Sequence, residues 1–173
     1  MRRHRWWWAA AAATLLVVTA GLPVYVFPRQ TAPVGADVVF VIGPPRAWRI
    51  AWARELVAAG KARAIMISQP ETGSLQACAA QSTVPVLCRR PDPFTTRGEA
   101  RWLRDEMAAH GWRTAVVITS TPHIARTRYV MQRCVPSGVQ VVGRTTGMAP
   151  WTWVYQYAYQ TAAWVKALAQ CGC

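Results

Sequence analysis

Two stretches of this chain, Asp37–Gly43 (DVVFVIG) and Ala115–Thr119 (AVVIT), run through consecutive apolar and β-branched residues without polar alternation. A strand with one wet face alternates apolar and polar side chains. A continuous run belongs to a strand covered on both faces. A helical pattern follows each run, so the chain is committed to a sheet held between helices. After the first run, Arg49–Ala59 places Ile50, Ala53, Leu56 and Val57 on one stripe and closes at Gly60. Ala64–Ser68 is a second short buried strand, and Val84–Cys88 a third, which Pro85 confines to an edge or a strand start. Thr96–His110 reads as a helix with Thr96 as N-cap and Gly111 at its end. Ser120-Thr121-Pro122 opens another, running to about Arg133, because proline suits the first helical position. Val139–Val142 is the next strand, and Trp151–Gln170 a long closing helix. Strands alternating with helices predict a Rossmann-like three-layer α/β sandwich with a mainly parallel sheet, one domain over residues 37–173.

That domain is preceded by Arg2, Arg3, His4 and Arg5 and an uncharged apolar segment from Trp6 to Phe27. Roughly 20 residues cross a bilayer core as a helix. Trp6, Trp7 and Trp8 sit beside the arginines, where aromatic rings favour the headgroup level, and basic flanks stay cytoplasmic. The segment reads as a single transmembrane anchor with the C-terminal domain outside the cytoplasm. A cleaved signal peptide is the rival reading, with a core from Ala9 to Val18 and the small-residue site Val18-Thr19-Ala20. Either one exports the domain. Residues 28–36 (PRQTAPVGA) form a short tether.

Lys and Arg number 20 against 7 Asp and Glu, and the net charge is +13. Such a surplus points to acidic partners: anionic headgroups or phosphorylated envelope intermediates. It also reflects an arginine- and alanine-rich composition. Nucleic acid is not an expected partner, since the chain has an export segment and no basic tail or aromatic nucleic-acid motif. Five cysteines stand at 78, 88, 134, 171 and 173, with no CxxC and no zinc-type spacing, so no metal site is expected. In an oxidising compartment disulfides are the default, with buried reduced thiols the alternative. Cys78 and Cys88 can clip one loop, and Cys134 can pair with Cys171 or Cys173.

Ligands of open α/β sheets bind beyond the carboxyl ends of the strands. Those ends are Gly43–Arg49, Ser68–Gly73, Cys88–Thr96 and Ser120–Arg128. In the last of them, a helix start offers free N–H groups to an anion. Ser120 and Thr121 add hydroxyls there, and His123 and Arg126 share a face. The helix dipole favours a neutral His123, which would serve as donor or general base. Thr95, Thr96, Arg97 and Glu99 form a second candidate. Thr96 and Glu99 also match a capping box, a sufficient structural reason for both. Gly43, Arg46 and Arg49 form the third. One glycine followed by two prolines builds neither a dinucleotide loop nor a P-loop, so no cofactor is assigned. There is no GxSxG and no HExxH. Only Glu71, Asp92 and Glu99 bring carboxylates near the expected crevice. The aromatic residues of the closing segment, among them Trp151, Trp153, Tyr155 and Trp164, suit a core, an interface or a membrane surface.

The ordered segments resemble the YdcF/SanA-like family, a domain of unknown function, over Asp37–Gly143. The resemblance rests on DVVFVIG, on Arg49 in the next helix, on Ala64–Ser68 and a turn, on TTRGEA and on VVITSTPHIARTRYVM from Val116 to Met131. It implies a Rossmann-like fold with a crevice at Arg49, Ser68, Thr96, Ser120, His123 and Arg126. It also implies an N-terminal membrane helix and a link to envelope biogenesis. This chain has Ser68-Gln69-Pro70-Glu71 where the family turn reads serine-glycine-glycine, and Thr95 and Glu99 where the family carries asparagines. The expected function is binding of a phosphorylated or otherwise anionic envelope metabolite, such as a lipid-linked intermediate. The alternatives are a phosphoester hydrolase or transferase using His123, and a non-catalytic envelope scaffold.

Overall fold

The structure is a computed structural model that describes residues 2–69, 76–79, 82–170 and 172–173; Glu71, Gly73 and Cys171 lie outside the described residues. Five strands form one sheet: β1 (Val38–Val41), β2 (Ile65–Ser68), β3 (Val86–Arg89), β4 (Ala115–Ser120) and β5 (Val139–Arg144). Their order is β3-β2-β1-β4-β5, and every neighbouring pair is parallel. β1 lies at the centre, where Phe40 is opposite Met66 on one side and Val117 on the other.

The continuous runs are explained by this placement. Side chains alternate across a strand. Val38, Phe40 and Ile42 enter one core with Trp102, Leu103, Ile124 and Met131. Val39 and Val41 enter the other with Trp52, Ala53 and Leu56. The first core is covered by α4 (Thr96–His110) and α5 (Ile124–Cys134), and the second by α2 (Ala47–Ala58). A short helix, α3 (Gln76–Ala79), adds Ala77 and Cys78 to the second core. The closing helix, α6 (Pro150–Ala169), packs outside α5. β3 is the edge strand that Pro85 required. The proline stands just before it and contributes only its carbonyl, which accepts from Ile65 N at 2.9 Å.

The N-terminal segment is α1 (Arg2–Gly21), continued by a π-helical turn over Leu22–Val26. The span Arg5–Val26 is long and apolar enough to cross a membrane, and little of it is buried against the domain. Residues 28–36 are not a free tether. They lie along β5, the other edge, and satisfy its polar groups through glutamine side chains. Gly143 N donates to Gln30 Oε1 at 2.9 Å, while Gln140 Nε2 donates to Thr31 Oγ1 at 2.6 Å and to Ala32 O at 2.9 Å. An open edge invites pairing with another chain, and this segment covers it.

Cys78 and Cys88 are bonded, as the spacing suggested. Cys134 is bonded to Cys173, one of the two partners that the sequence left open. One residue separates these alternatives in sequence, and the choice depends on how the tail folds back against α4, where Arg101 donates to the Cys173 carbonyl.

Candidate functional site: a cationic cleft at the carboxyl ends of the central strands

The chain leaves β1 towards β2 on one side and returns through β4 and β5 on the other, so the sheet order reverses between β1 and β4. A crevice forms where the connections diverge. It is a cleft of about 450 Å³, walled by Gly43 and Pro44 after β1, by Phe94–Arg97 and Glu99 at the start of α4, and by His123 and one face of α5. Tyr159, Ala163, Lys166 and Ala167 of α6 close the outer side.

α4 begins differently from the sequence expectation. Its N-cap is Thr95, whose Oγ1 accepts from Gly98 N at 3.3 Å. The Thr96–Glu99 capping box therefore does not form, and both side chains are released into the cleft wall. Glu99 Oε1 instead accepts from Gly43 N at 2.6 Å and holds the β1–α2 loop. Burial raises the Glu99 pKa above its ordinary value. The Ser68 hydroxyl, the Gly43 amide and the charges of Arg49 and Arg126 oppose that shift. Ser68 Oγ lies close enough to favour the carboxylate, yet it completes no well-formed hydrogen bond.

His123 ends a 3-10 turn, Thr121–His123, that leads into α5. Its Nδ1 is 3.1 Å from Thr119 Oγ1 and its Nε2 is 3.4 Å from Thr96 Oγ1. Burial lowers its pKa well below 6.5, and the charges of Arg126 and Arg49 lower it further, so the ring is neutral. Arg126 Nη1 donates to Thr96 Oγ1 at 3.4 Å. Thr96 Oγ1 thus sits between the Arg126 guanidinium, which can only donate to it, and His123 Nε2, while Thr119 Oγ1 is the partner of Nδ1. The four residues form one chain across α5, α4 and β4.

Arg126 is 9% exposed and its Nε donates to Gln160 Oε1 at 3.1 Å, tying α5 to α6. Burial lowers its pKa, while Tyr159, Glu99 and Tyr25 oppose the shift. Arg49 lies behind the cleft rather than on its wall. Its Nη1 donates to Ile42 O at 3.1 Å and Pro44 O at 3.3 Å, so it shapes the loop. Burial, with the charge of Arg46, pushes its pKa down to about 10, and it stays protonated at neutral pH.

Among the expected residues, the fold brings Gly43, Thr95, Thr96, Arg97, Glu99, His123 and Arg126 to one cleft. Arg49 and Ser68 are buried behind it. Arg46 is exposed at the α2 N-cap, away from the wall. Ser120 ends β4 outside the cleft, and Thr121 faces a second hollow with Phe27, Gln30 and Arg144. Of the expected Ser120/His123/Arg126 cradle, His123 and Arg126 line the cleft, while Ser120 and Thr121 are not among its lining residues. Arg133, Lys166 and Tyr159 were missed. Arg133 was recoverable, because positions 126, 130 and 133 share a helical face. Nothing local says which side of α6 meets the cleft. Among the described residues no cluster of His, Cys, Asp or Glu is arranged to hold a metal.

Fold and site together define an α/β protein with a five-stranded parallel sheet and a cationic cleft at the point where the strand order reverses. No protein-family model, curated protein or solved structure matches this chain.

Proposed function

We propose that the chain is a membrane-tethered, extracytoplasmic domain of Rossmann-like, YdcF/SanA type that binds a phosphorylated or otherwise anionic metabolite of envelope biogenesis. One observation carries this reading. Arg97, Arg126, Arg133 and Lys166 line the cleft, and among the described residues that line it Glu99 is the only acidic one. Charge-assisted hydrogen bonds suit such a wall to phosphate or carboxylate. The two disulfides fit an oxidising compartment. A retained anchor is supported by Tyr157, whose hydroxyl donates to Val18 O at 3.1 Å, a partner that cleavage after Ala20 would remove.

The test is calorimetric titration of the full chain, in nanodiscs of neutral lipid, with a water-soluble prenyl diphosphate and with inorganic phosphate. Arg126 is a poor probe because it also holds Gln160 and Thr96. The rim substitutions Arg97→Ala, Arg133→Ala and Lys166→Ala remove charge from partly or fully exposed positions. Together they should weaken binding at least about 100-fold, since one charged hydrogen bond contributes about 1.5–3 kcal/mol. Their melting temperature should stay near that of the wild type. Equal affinity in the triple variant would overturn the reading.

A phosphoester hydrolase or transferase is the second reading, favoured by the hydroxyl–imidazole–hydroxyl chain of Thr96, His123 and Thr119. A neutral imidazole held between two hydroxyls carries one unprotonated ring nitrogen and is equipped to accept a proton there. Phosphate release from a phosphoester, lost in His123→Gln with binding retained, would select this reading over binding alone.

A further inference from the structure

Helix α6 gives one face to the cleft and leaves the other uncovered. Gln160, 3% exposed, and the partly buried Ala163 and Ala167 face inward. Trp151, Val154, Tyr155, Val165 and Leu168 are 60–75% exposed. Their spacing places them on a single helical stripe. The segment Pro150–Ala169 contains no acidic residue, and Lys166 is its only charged one. Such an apolar stripe is costly in water and calls for a partner.

The position of α6 says which partner. It is fastened to the outer end of α1, where Tyr157 donates to Val18 O and its ring fills the space that a side chain at Gly21 would need. Tyr25 packs edge-on against the same ring at 5.0 Å, and its hydroxyl is 3.0 Å from Thr161 Oγ1. The segment 28–36, docked along β5, leaves little slack between domain and anchor. Any bilayer crossed by Arg5–Val26 therefore has its outer surface at α6.

We infer that α6 is an interfacial membrane helix, lying in the outer headgroup region of the bilayer that α1 crosses, with the Trp151–Leu168 stripe against lipid. The inference rests on the anchor reading above. Tryptophan and tyrosine favour the headgroup level. An amphipathic helix buries its apolar face about 5–10 Å into that zone. Lack of acidic groups removes repulsion from anionic lipid. The cleft then shares a helix with the membrane surface, so an anionic headgroup reaches Lys166 and Arg133 while its tail stays in lipid.

The test uses the full chain in nanodiscs containing a phosphatidylcholine with a photoreactive diazirine high in its acyl chain, read by peptide mass spectrometry. Adducts are expected on α1 and on Trp151, Val154, Tyr155, Val165 or Leu168, but not on the peptide carrying Trp48. In Val154→Asp/Val165→Asp the α6 adducts should disappear while those on α1 remain. Labelled α1 with bare α6 would overturn the interfacial helix and leave the anchor standing. Lipid adducts on neither would remove both. With a bifunctional amine-reactive crosslinker added to the same nanodiscs, Lys166–Lys166 links between two copies, with α6 bare of lipid adducts, would make the stripe a dimer interface and overturn the proposal.

Discussion

At the residue scale, the cleft is built from buried polar groups whose partners come from distant parts of the chain. Glu99 is the clearest case, because its single carboxylate holds the amide of Gly43 and faces the charges of Arg49 and Arg126. Glu99→Ala leaves a buried donor unsatisfied, at a cost of about 1–3 kcal/mol. Glu99→Gln keeps an acceptor and should cost less; urea denaturation of the two variants checks the order. His123 gives a pH dependence whose sign is fixed. Its folded pKa lies well below 6.5, so on acidification the unfolded chain takes up the proton first and stability falls below about pH 6.5. Glu99 acts in the opposite sense: with its folded pKa raised above 4.5, the folded state takes up that proton first and gains stability as pH falls towards 4.5. Comparing the wild type with His123→Gln separates the two. The variant should lose up to about 1.4 kcal/mol less stability per pH unit between pH 6.5 and 5. Identical urea midpoints across that window would show an ordinary histidine.

At the element scale, two joints hold the cleft walls. Gly98 lets the first turn of α4 pass the Pro93 carbonyl, which a Cβ at that position would strike. Gly98→Ala must therefore displace the β3–α4 loop, with a loss of about 1–3 kcal/mol and a weaker cleft, measurable by melting and by anion titration. The second joint is the Cys134–Cys173 bond, which closes a loop of 39 residues around α6. Chain-entropy reasoning gives such a bond about 4 kcal/mol. Cys134→Ser should lower the melting temperature and raise hydrogen exchange in α6 far more than in β1, because β1 is held by both cores. The element order was legible from local pattern: every strand and long helix read from the sequence is present, with ends displaced by a few residues. The start of α4 was displaced by only one, from Thr96 to Thr95 as cap, yet that decided what Thr96 and Glu99 do. Both threonines satisfy the local rule, and only packing against Gly43 chooses between them.

For the whole molecule, the apolar N-terminal helix packs on α6 around Tyr157, and the segment that follows it lies along β5. Mass spectrometry of protein extracted from membranes should find the intact N-terminus, whereas a species starting at Gly21 would mean that the segment is a cleaved signal. The alternation of strand and helix, burial of the central strands on both faces, the apolar N-terminal helix and the positive charge were all determined by the sequence itself. Each is a property of neighbouring residues: side-chain polarity, periodicity of two or 3.6, and an unbroken apolar length. The tertiary structure alone decided that Cys134 takes Cys173, that Arg49 turns inward, that Ser120 and Thr121 leave the cleft, and that α6 walls it. These outcomes depend on contacts across long stretches of chain, such as the 56 residues between Gly43 and Glu99, where many partners are chemically equivalent and only the folded packing singles out one.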